Sequence, residues 1–253
     1  MDITDVQLCA DYFKQNYLET FYLITTYSDK SFILIGEREN FPHLMGINKN
    51  TYRSNGYKKP KWLFKDIIGR RTISRRIIPY SISTTSKMYK KIINFSKNIN
   101  VFWKNKYPIV INYNASLSSS NLDHVDIILS DMSSGYMLGW VYNSDVPINA
   151  NINIKKYCIC TWMDESTGAM NSKEKYLPKQ DVELIRYIFS FDGFSCLKRK
   201  KEYTYDTKQK EEVLRLCYRN RCNLILDKIN SKYYVDLARE KSIQCMINGV
   251  PIK

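Results

Sequence analysis

Glycine and histidine are scarce in this sequence, which has nine glycines and two histidines among 253 residues. Phosphate-binding loops, dinucleotide-binding turns and the nucleophile elbows of serine hydrolases all depend on particular glycine patterns. None of these patterns occurs here. Acidic residues are sparse where basic residues gather, which argues against a paired-carboxylate site for two metal ions. These absences disfavour the enzyme classes that depend on such motifs.

Long apolar runs are missing as well. The longest, such as residues 31–36 and 125–129, are far shorter than the roughly 20 residues of a membrane-spanning helix, and the acidic first residues do not resemble a secretory signal. The seven cysteines are scattered and odd in number, and none has the neighbours that would complete a zinc site. We therefore expect a cytoplasmic protein with free thiols, no metal, no cofactor and no membrane partner.

Positive charge dominates the chain, which has 39 Lys and Arg residues against 25 acids and a net charge of +14. Fourteen of these cations lie in residues 38–91, where only two acids accompany them. Tyrosines and a tryptophan interleave with them, and such a mixture suits the phosphates and unstacked bases of RNA. A charge run is often only a solvated helix face, but the length of this one favours phosphate binding. The residues that we assign to RNA binding are Lys49, Tyr52, Arg53, Arg70, Arg75 and Lys87.

Hydrophobic periodicity divides the chain into helical and strand-like parts. Apolar side chains at helical intervals predict a helix over residues 6–18, and two strand-like runs at 21–27 and 31–36 predict a β-hairpin. Short basic helices follow, with a longer one over about 84–101. From residue 109 to residue 162 the period becomes that of strands, which predicts a four-stranded antiparallel sheet.

The last third of the chain has a different pattern. Residues 163–177 are polar without a clear period and predict a linker, followed by helices over about 179–189 and 207–219. We therefore predict an α+β fold with two parts. Residues 1–165 form a domain with an N-terminal helix and hairpin, basic helices and a roughly four-stranded antiparallel sheet, and residues 166–253 form a mostly helical C-terminal appendage.

His43 stands near the head of the basic segment, between Pro42 and Leu44. An imidazole can exchange a proton near neutral pH, so His43 could take the 2′-hydroxyl proton of RNA or protonate the leaving oxygen. Nearby cations would stabilise the negative charge that develops on the phosphate. The alternative is a histidine that only fills space and bonds a backbone carbonyl.

Two further features offer catalytic groups. His124 is an alternative acid or base that could form a pair with His43, although nothing in the sequence brings the two together, and an exposed residue at a strand start is the simpler interpretation. Arg71 and Arg75 would share one face if their segment were helical, which would suit a phosphate. Nonspecific surface charge is the competing interpretation for both arginines.

Several short stretches resemble the phage- and mobile-element-associated BECR nucleases, the barnase, EndoU, colicin and RelE-like group of metal-independent ribonucleases. The stretches are Phe32-Ile-Leu-Ile-Gly, Phe41-Pro-His-Leu-Met-Gly-Ile, Leu63-Phe64, Val125-Asp-Ile-Ile-Leu and Tyr136-Met-Leu-Gly-Trp-Val. The resemblance implies a core of helices followed by a four-stranded antiparallel sheet. It matches the family's histidine to His43 and a hydroxyl late in the sheet to Thr161. It covers about residues 21–162 and leaves the C-terminal third unexplained.

These features together predict a metal-independent endoribonuclease, acting as a toxin or a phage-defence effector by 2′-hydroxyl attack. The predicted catalytic residues are His43, Arg71 and Thr161. The alternatives are a nucleic-acid-binding protein without catalysis and an interaction protein whose basic face meets an acidic partner. A toxin needs restraint, and an antitoxin protein, an inhibitory RNA or the C-terminal appendage would each fit. The sequence does not indicate an oligomeric state.

Overall fold

The computed structural model describes residues 1–98, 108–117, 122, 124–131, 136–164, 177–193 and 196–252. The first helix, α1 (Ile3–Phe13), begins at Asp2, whose carboxylate accepts a hydrogen bond of 2.7 Å from the backbone N–H of Thr4. Asp5 accepts a return bond from the N–H of Asp2, which completes a capping box. A π-helical turn, Lys14–Leu18, extends the helix to the first strand.

Four more helices follow the N-terminal hairpin, and they pack with α1 into one layer. Their bounds are α2 (Phe41–Leu44), α3 (Lys49–Ser54), α4 (Pro60–Ile68) and α5 (Lys87–Asn98). Three buried rings join this layer, because Phe13 lies 5.4 Å from Phe41 and 6.0 Å from Phe64, between ring centroids. Aromatic pairs at such distances stabilise a core beyond the burial of their area.

Seven strands form a closed barrel. Their bounds are β1 (Thr20–Thr26), β2 (Ser31–Ile35), β3 (Pro108–Asn112), β4 (Ile127–Asp131), β5 (Tyr136–Asn149), β6 (Ile152–Asp164) and β7 (Asp181–Asp192). The order around the barrel is β1-β2-β6-β5-β4-β3-β7, and β7 pairs with β1 to close it. The β2–β6 pair is parallel and the other pairs are antiparallel.

The barrel interior is lined by alternate residues of its strands, as the two-residue period of a strand requires. In β1, Tyr22 and Ile24 are buried while their neighbours are partly exposed. Tyr17, from the π-helical turn, contacts the rings of Tyr22 and Trp140 at 6.1 and 6.3 Å between centroids. The helical layer and the barrel therefore share one hydrophobic core.

The remaining strands and helices extend from β7. They are β8 (Cys196–Glu202), α6 (Thr207–Asn220), β9 (Asn223–Ile225), α7 (Lys228–Glu240), β10 (Cys245–Ile247) and β11 (Val250–Ile252). Both β8 and β9 pair with β7, and β10 pairs with β9 and β11. The helices α6 and α7 pack against each other and against β10.

The predicted four-stranded sheet and the mostly helical C-terminal appendage are both wrong. The four successive strands β3 to β6 do pair in antiparallel order, but they are part of the seven-stranded barrel, which takes β7 from beyond residue 165. The helix predicted over residues 179–189 is the strand β7. Its first half, from Val182 to Ile185, is buried throughout, and the outward residues of its second half are aromatic rings, so this strand lacks the apolar and polar alternation that would have distinguished it from a helix.

Other sequence predictions are confirmed. The N-terminal helix, the β1–β2 hairpin and the helix α6 occur close to their predicted places. The helix predicted over residues 84–101 is α5, Lys87–Asn98, and residues 99–101 lie outside the described residues. Most of the predicted linker, residues 165–176, lies outside them as well.

The described part of the chain contains no helix with both the length and the apolar character needed to cross a membrane.

Candidate active site around two histidines

The short helix α2 presents His43 at the protein surface. Its neighbours Phe41, Pro42 and Leu44 are buried, whereas His43 is exposed. Asn40 holds the start of the helix against the barrel, because its side-chain amide donates a hydrogen bond to the backbone carbonyl of Ile159 in β6. The apolar neighbours that the sequence showed around His43 thus anchor the turn and leave the imidazole outside.

Gly46 allows α5 to approach this turn closely. Its φ is +72°, a region that favours glycine. A Cβ at this position would lie 3.3 Å from Cγ of Lys87 and 3.4 Å from Cα of Met88. The helix α5 begins here, where the Ser86 hydroxyl accepts a hydrogen bond of 3.1 Å from the N–H of Tyr89. The first turn of α5 therefore lies against the residues that follow His43.

Lys91 lies one turn after Lys87, on the same face of α5. Lys87 is exposed and Lys91 is partly buried. Burial disfavours the charged ammonium, and the neighbouring charge of Lys87 acts in the same direction, so the pKa of Lys91 falls to about 8. Two lysines therefore converge near His43, and one of them exchanges its proton not far above neutral pH.

His124 precedes β4, in a loop that the barrel holds in place. The next residue, Val125, is buried, and it packs so closely over Gly139 that a Cβ there would lie 3.2 Å from Val125. The N–H of Asp126 donates to the carbonyl of Trp140 at 2.9 Å, and its carboxylate accepts from the N–H of Tyr142 at 2.6 Å. These contacts fix the chain directly after His124.

The pKa of His43 responds to Lys87, Lys91 and His124. Although His43 reaches solvent, the surrounding protein covers part of it, and this partial burial is the main cause that lowers its pKa below the usual value, because it disfavours the imidazolium. The positive charges of Lys91 and Lys87 lower it further, and that of His124 adds a smaller effect. His124 is therefore close enough to His43 to affect its charge, a proximity that no local sequence pattern predicts. We call His43, Lys87, Lys91 and His124 the histidine–lysine cluster.

Cys160 borders the cluster on the side of β6. It is the extra residue where the β5–β6 register shifts, and its thiol donates to the carbonyl of Gly139 at 3.3 Å. Burial and the nearby Asp126 raise its pKa to about 12, although Lys91 has an opposing effect. At neutral pH Cys160 is therefore a thiol, not a nucleophilic thiolate.

Thr161 follows Cys160, and its side chain is buried. Its Cγ2 atom lies so close to Gly139 that a Cβ on that glycine would be 2.5 Å away. The structure thus places this predicted catalytic residue in the packing between β5 and β6. We therefore leave Thr161 out of the histidine–lysine cluster.

Three of the four predicted arginines each contact another part of the N-terminal half. Arg70 pairs with Asp11 at 2.7 Å and Arg71 with Asp66 at 3.2 Å. The guanidinium of Arg75 lies 3.5 Å from the ring centroid of Tyr80. Residues 71–80 form no helix, so the shared helical face that would have joined Arg71 and Arg75 is absent.

The helix α3 carries the remaining predicted RNA-binding residues. Lys49 and Arg53 are exposed, whereas Tyr52 is 4% exposed and belongs to the core. A buried ring cannot stack on a base, so we remove Tyr52 from the RNA-binding surface. Lys49 and Arg53 remain candidates for contacts with phosphate.

Sequence reasoning assigned one member of the cluster, His43, to catalysis and another, Lys87, to RNA binding. Lys91 was counted only as part of the charge run, and His124 was weighed as an alternative without a reason for proximity. The rarity of histidine was the available signal, since both histidines of the chain lie in the cluster.

Imidazole and ammonium groups can perform proton transfer and stabilise charge without a metal ion. Among the residues that the structure describes, no group of three or more histidine, cysteine or carboxylate side chains is arranged to hold a metal ion. The imidazole and ammonium groups of the cluster have the chemistry to act on a phosphate ester without a metal ion.

Comparison with known proteins gives no relative for this chain: no family model, curated protein or solved structure matches it.

Proposed function

We propose that this protein is a cytoplasmic, metal-independent endoribonuclease whose acid–base pair is His43 and His124. The observation that carries the proposal is that the first turn of α5, with Lys87, packs against the turn that follows His43, and that both lysines and His124 act on the imidazole of His43. Two imidazoles can serve as the base and the acid of cleavage through the 2′-hydroxyl, and two cations can stabilise its phosphate. The resemblance to the BECR nucleases remains a proposal that agrees with this chemistry.

His43 suits the role of general base. Because its pKa is lowered, first by burial and then by the neighbouring cations, its ring is neutral at cellular pH and can accept a proton. In the proposed step, His43 removes the proton of the 2′-hydroxyl and the 2′-oxygen forms a bond to phosphorus. The bond from phosphorus to the 5′-oxygen breaks, and protonated His124 gives its proton to that oxygen. The products are a 2′,3′-cyclic phosphate and a free 5′-hydroxyl.

The two lysines would bind the oxygens of the phosphate. Negative charge grows on these oxygens as the 2′-oxygen attacks, so fixed ammonium groups stabilise the transition state more than the ground state. Lys87 is exposed and can meet an incoming strand. Lys91, with a pKa of about 8, is still mostly protonated at neutral pH.

A toxin or defence role would require a means of restraint. Under this proposal, an antitoxin protein or an inhibitory RNA covers the exposed side of the cluster. Binding RNA without cleavage is the competing function, and the exposed cations on α3 would serve either one.

The decisive test incubates purified protein with a single-stranded RNA in EDTA and resolves the product ends. Wild type should yield fragments with 2′,3′-cyclic phosphate ends, and a substrate with a 2′-deoxy position should resist cleavage at that position. His43→Ala and His124→Ala should each slow cleavage by about 100-fold or more, since general acid–base catalysis contributes on the order of 10²–10⁴.

Two controls accompany this test. Lys232→Ala removes an exposed lysine from α7 and should leave the rate unchanged. The melting temperatures of both histidine variants should match that of wild type. Full cleavage by His43→Ala, or intact RNA with the wild-type protein, would reject the proposal and leave the binding function.

A further inference from the structure

The outer face of β7 carries a row of aromatic rings. Tyr187, Phe189 and Phe191 are partly exposed, and they alternate with the buried residues Ile188 and Ser190. Side chains on successive residues of a strand point to opposite faces. The three rings therefore point away from the barrel interior, into the solvent.

The neighbouring strand β1 extends this row. Phe21 lies opposite Phe191 in the register, and the two rings stack with centroids 4.8 Å apart and planes at 8°. Leu23 lies opposite Phe189. In the described part of the chain, the hydrophobic core includes neither Phe21 nor the outer rings of β7. These rings are therefore a separate apolar surface, which we call the aromatic face.

Strand β8 places cations along the edge of this face. Four consecutive basic residues, from Lys198 to Lys201, run along the strand, and its residues are mostly exposed. The ammonium of Lys200 lies 4.9 Å from the ring centroid of Tyr187 and 5.7 Å from that of Phe189. From the other side, the guanidinium of Arg186 lies 5.1 Å from the Tyr187 ring. Lys200 and Arg186 therefore stand directly beside the rings, whereas Arg199 and Lys201, opposite the buried Ser190 and Ile188, lie on the other face of β8.

We propose that the aromatic face and β8 bind single-stranded nucleic acid, with bases on the rings and phosphates along the cations. Exposed rings beside a basic strand are what a sequence-tolerant single-strand site needs. Along β7 the ring centroids are 5.8 and 6.5 Å apart. This spacing is well above the roughly 3.4 Å rise between stacked bases, so successive bases would separate from each other to meet successive rings.

Other partners fit this surface less well. Double-stranded RNA keeps its bases stacked and offers no free faces to the rings. An apolar protein partner would have to bury Lys200 and Arg186 beside the rings, and the buried centres of protein interfaces are depleted in charge. Lysines on an edge strand also discourage aggregation, but that role does not explain three outward rings in register beside them.

The aromatic face lies near enough to the cluster to bind the same strand. From β7 the order is β1, β2 and then β6, against which α2 and α5 pack. Three strand spacings of about 4.8 Å make about 14 Å around the barrel. The inference that the bound nucleic acid is the substrate rests on the proposed function. The inference that the aromatic face binds single-stranded nucleic acid does not.

The test measures binding without cleavage. Fluorescence anisotropy would follow a labelled 2′-O-methyl oligouridylate of 12 nucleotides, which cannot undergo 2′-hydroxyl attack, against the same strand in a duplex. Wild type should bind the single strand at least about 10-fold more tightly than the duplex. Phe189→Leu, which keeps an apolar side chain but removes the ring, should weaken binding by about 10-fold.

Tyr233→Leu is the matched control, because Tyr233 is an exposed ring on α7 with the ammonium of Lys210 at 4.2 Å from its centroid. It should bind as wild type does. Lys200→Gln tests the cations independently and should reduce the slope of log Kd against log salt by about 0.7.

Equal binding by Phe189→Leu, Tyr233→Leu and wild type, together with an unchanged salt slope in Lys200→Gln, would overturn the inference. So would equal affinity for duplex and single strand, or no binding at low salt, which would favour a protein partner. Loss of cleavage with retained binding to the aromatic face would reject only the proposed catalysis.

Discussion

His43 and His124 are 81 positions apart in the sequence, yet the charge of His124 is among the causes that lower the pKa of His43. Burial and the two lysines of α5 have larger effects. Because only these two histidines occur in the chain, their ring signals are simple to assign. The arrangement leads to predictions that can be measured without any substrate.

Removing Lys87 should raise the pKa of His43. The change Lys87→Ala deletes a positive charge that disfavours the imidazolium, but burial, the main cause, remains, so the pKa should stay below the ordinary value of about 6.5. An NMR titration of the two ring signals would measure the shift, with His124→Ala used for assignment. Lys232→Ala should leave the titration unchanged. An identical pKa in Lys87→Ala and wild type would show that α5 does not face His43.

Replacing Lys91 by methionine should stabilise the protein below pH 8. In the folded state its pKa is about 8, whereas a lysine in the unfolded chain titrates near about 10.4. Below pH 8, keeping the charged ammonium partly buried lowers the free energy of unfolding of the wild type. This destabilisation disappears as the pH rises from 8 to about 10, because Lys91 is then neutral in the folded state. The change Lys91→Met should therefore raise the free energy of unfolding by about 1–3 kcal/mol at pH 7, with a smaller gain at pH 10. Urea denaturation at several pH values would measure it, and a constant difference would contradict the assignment.

The contact between Gly46 and α5 should matter for activity beyond its effect on stability. Gly46→Ala places a methyl group on a residue whose φ is +72°, 3.3 Å from Cγ of Lys87. Gly249 has a similar φ of +77° but no atom within 4 Å of its ideal Cβ, so Gly249→Ala reproduces the backbone strain alone. Each change should cost about 1–2 kcal/mol of stability. If the proposed catalysis is right, only Gly46→Ala should slow RNA cleavage per folded molecule, because it displaces the first turn of α5. Equal cleavage rates in the Gly46→Ala and Gly249→Ala variants would contradict this prediction.

Glu183 should be a main determinant of stability at acidic pH. The carboxylate, 1% exposed, accepts hydrogen bonds from Thr26 of β1 at 2.9 Å and Asn112 of β3 at 2.7 Å. Lys30 and Ser28 also donate to it. Burial alone would raise the pKa of Glu183, but these bonds outweigh that effect and lower it. Its stabilising contribution is therefore present above the unfolded pKa of about 4.3 and is lost as the pH falls below it.

Glu183→Gln should lower the free energy of unfolding at pH 7 by about 1–3 kcal/mol, because a neutral amide cannot accept all of these bonds. The difference from wild type should shrink toward pH 3. Glu212→Gln, at an exposed position of α6, is the control and should have little effect. A loss that stays constant between pH 7 and pH 3 would show that the charge of Glu183 is unimportant.

Local signals were sufficient for the elements that depend on local interactions. Asp2 and Asp5 cap α1, and the short polar link at residues 28–30 joins two alternating runs into a hairpin, so both features could be predicted from their own residues. The strand β7 could not be identified by alternation, because Val182 and its three successors are all buried. Its content of β-branched and aromatic residues was the remaining signal for a strand.

The site was predictable only where one segment determines it. The apolar neighbours of His43 indicated a residue held in place at the start of a helix, and α2 has that form. The proximity of His124 depends on the position of the β4 loop relative to α5, which no local pattern encodes. Arg71 was assigned to phosphate because of its charge, but its ion pair with Asp66 depends on how the chain turns after α4.

Closure of the barrel by β1 and β7 has a consequence for how the molecule folds. Tyr22 pairs with Ser190, so the joining strands are 168 positions apart along the chain. Such distant pairing is slow to form, and until it forms the edges of β1 and β3 remain open to other chains. Folding of this protein should therefore be limited by the arrival of β7, and nascent or truncated chains that lack it should be the species most prone to aggregate.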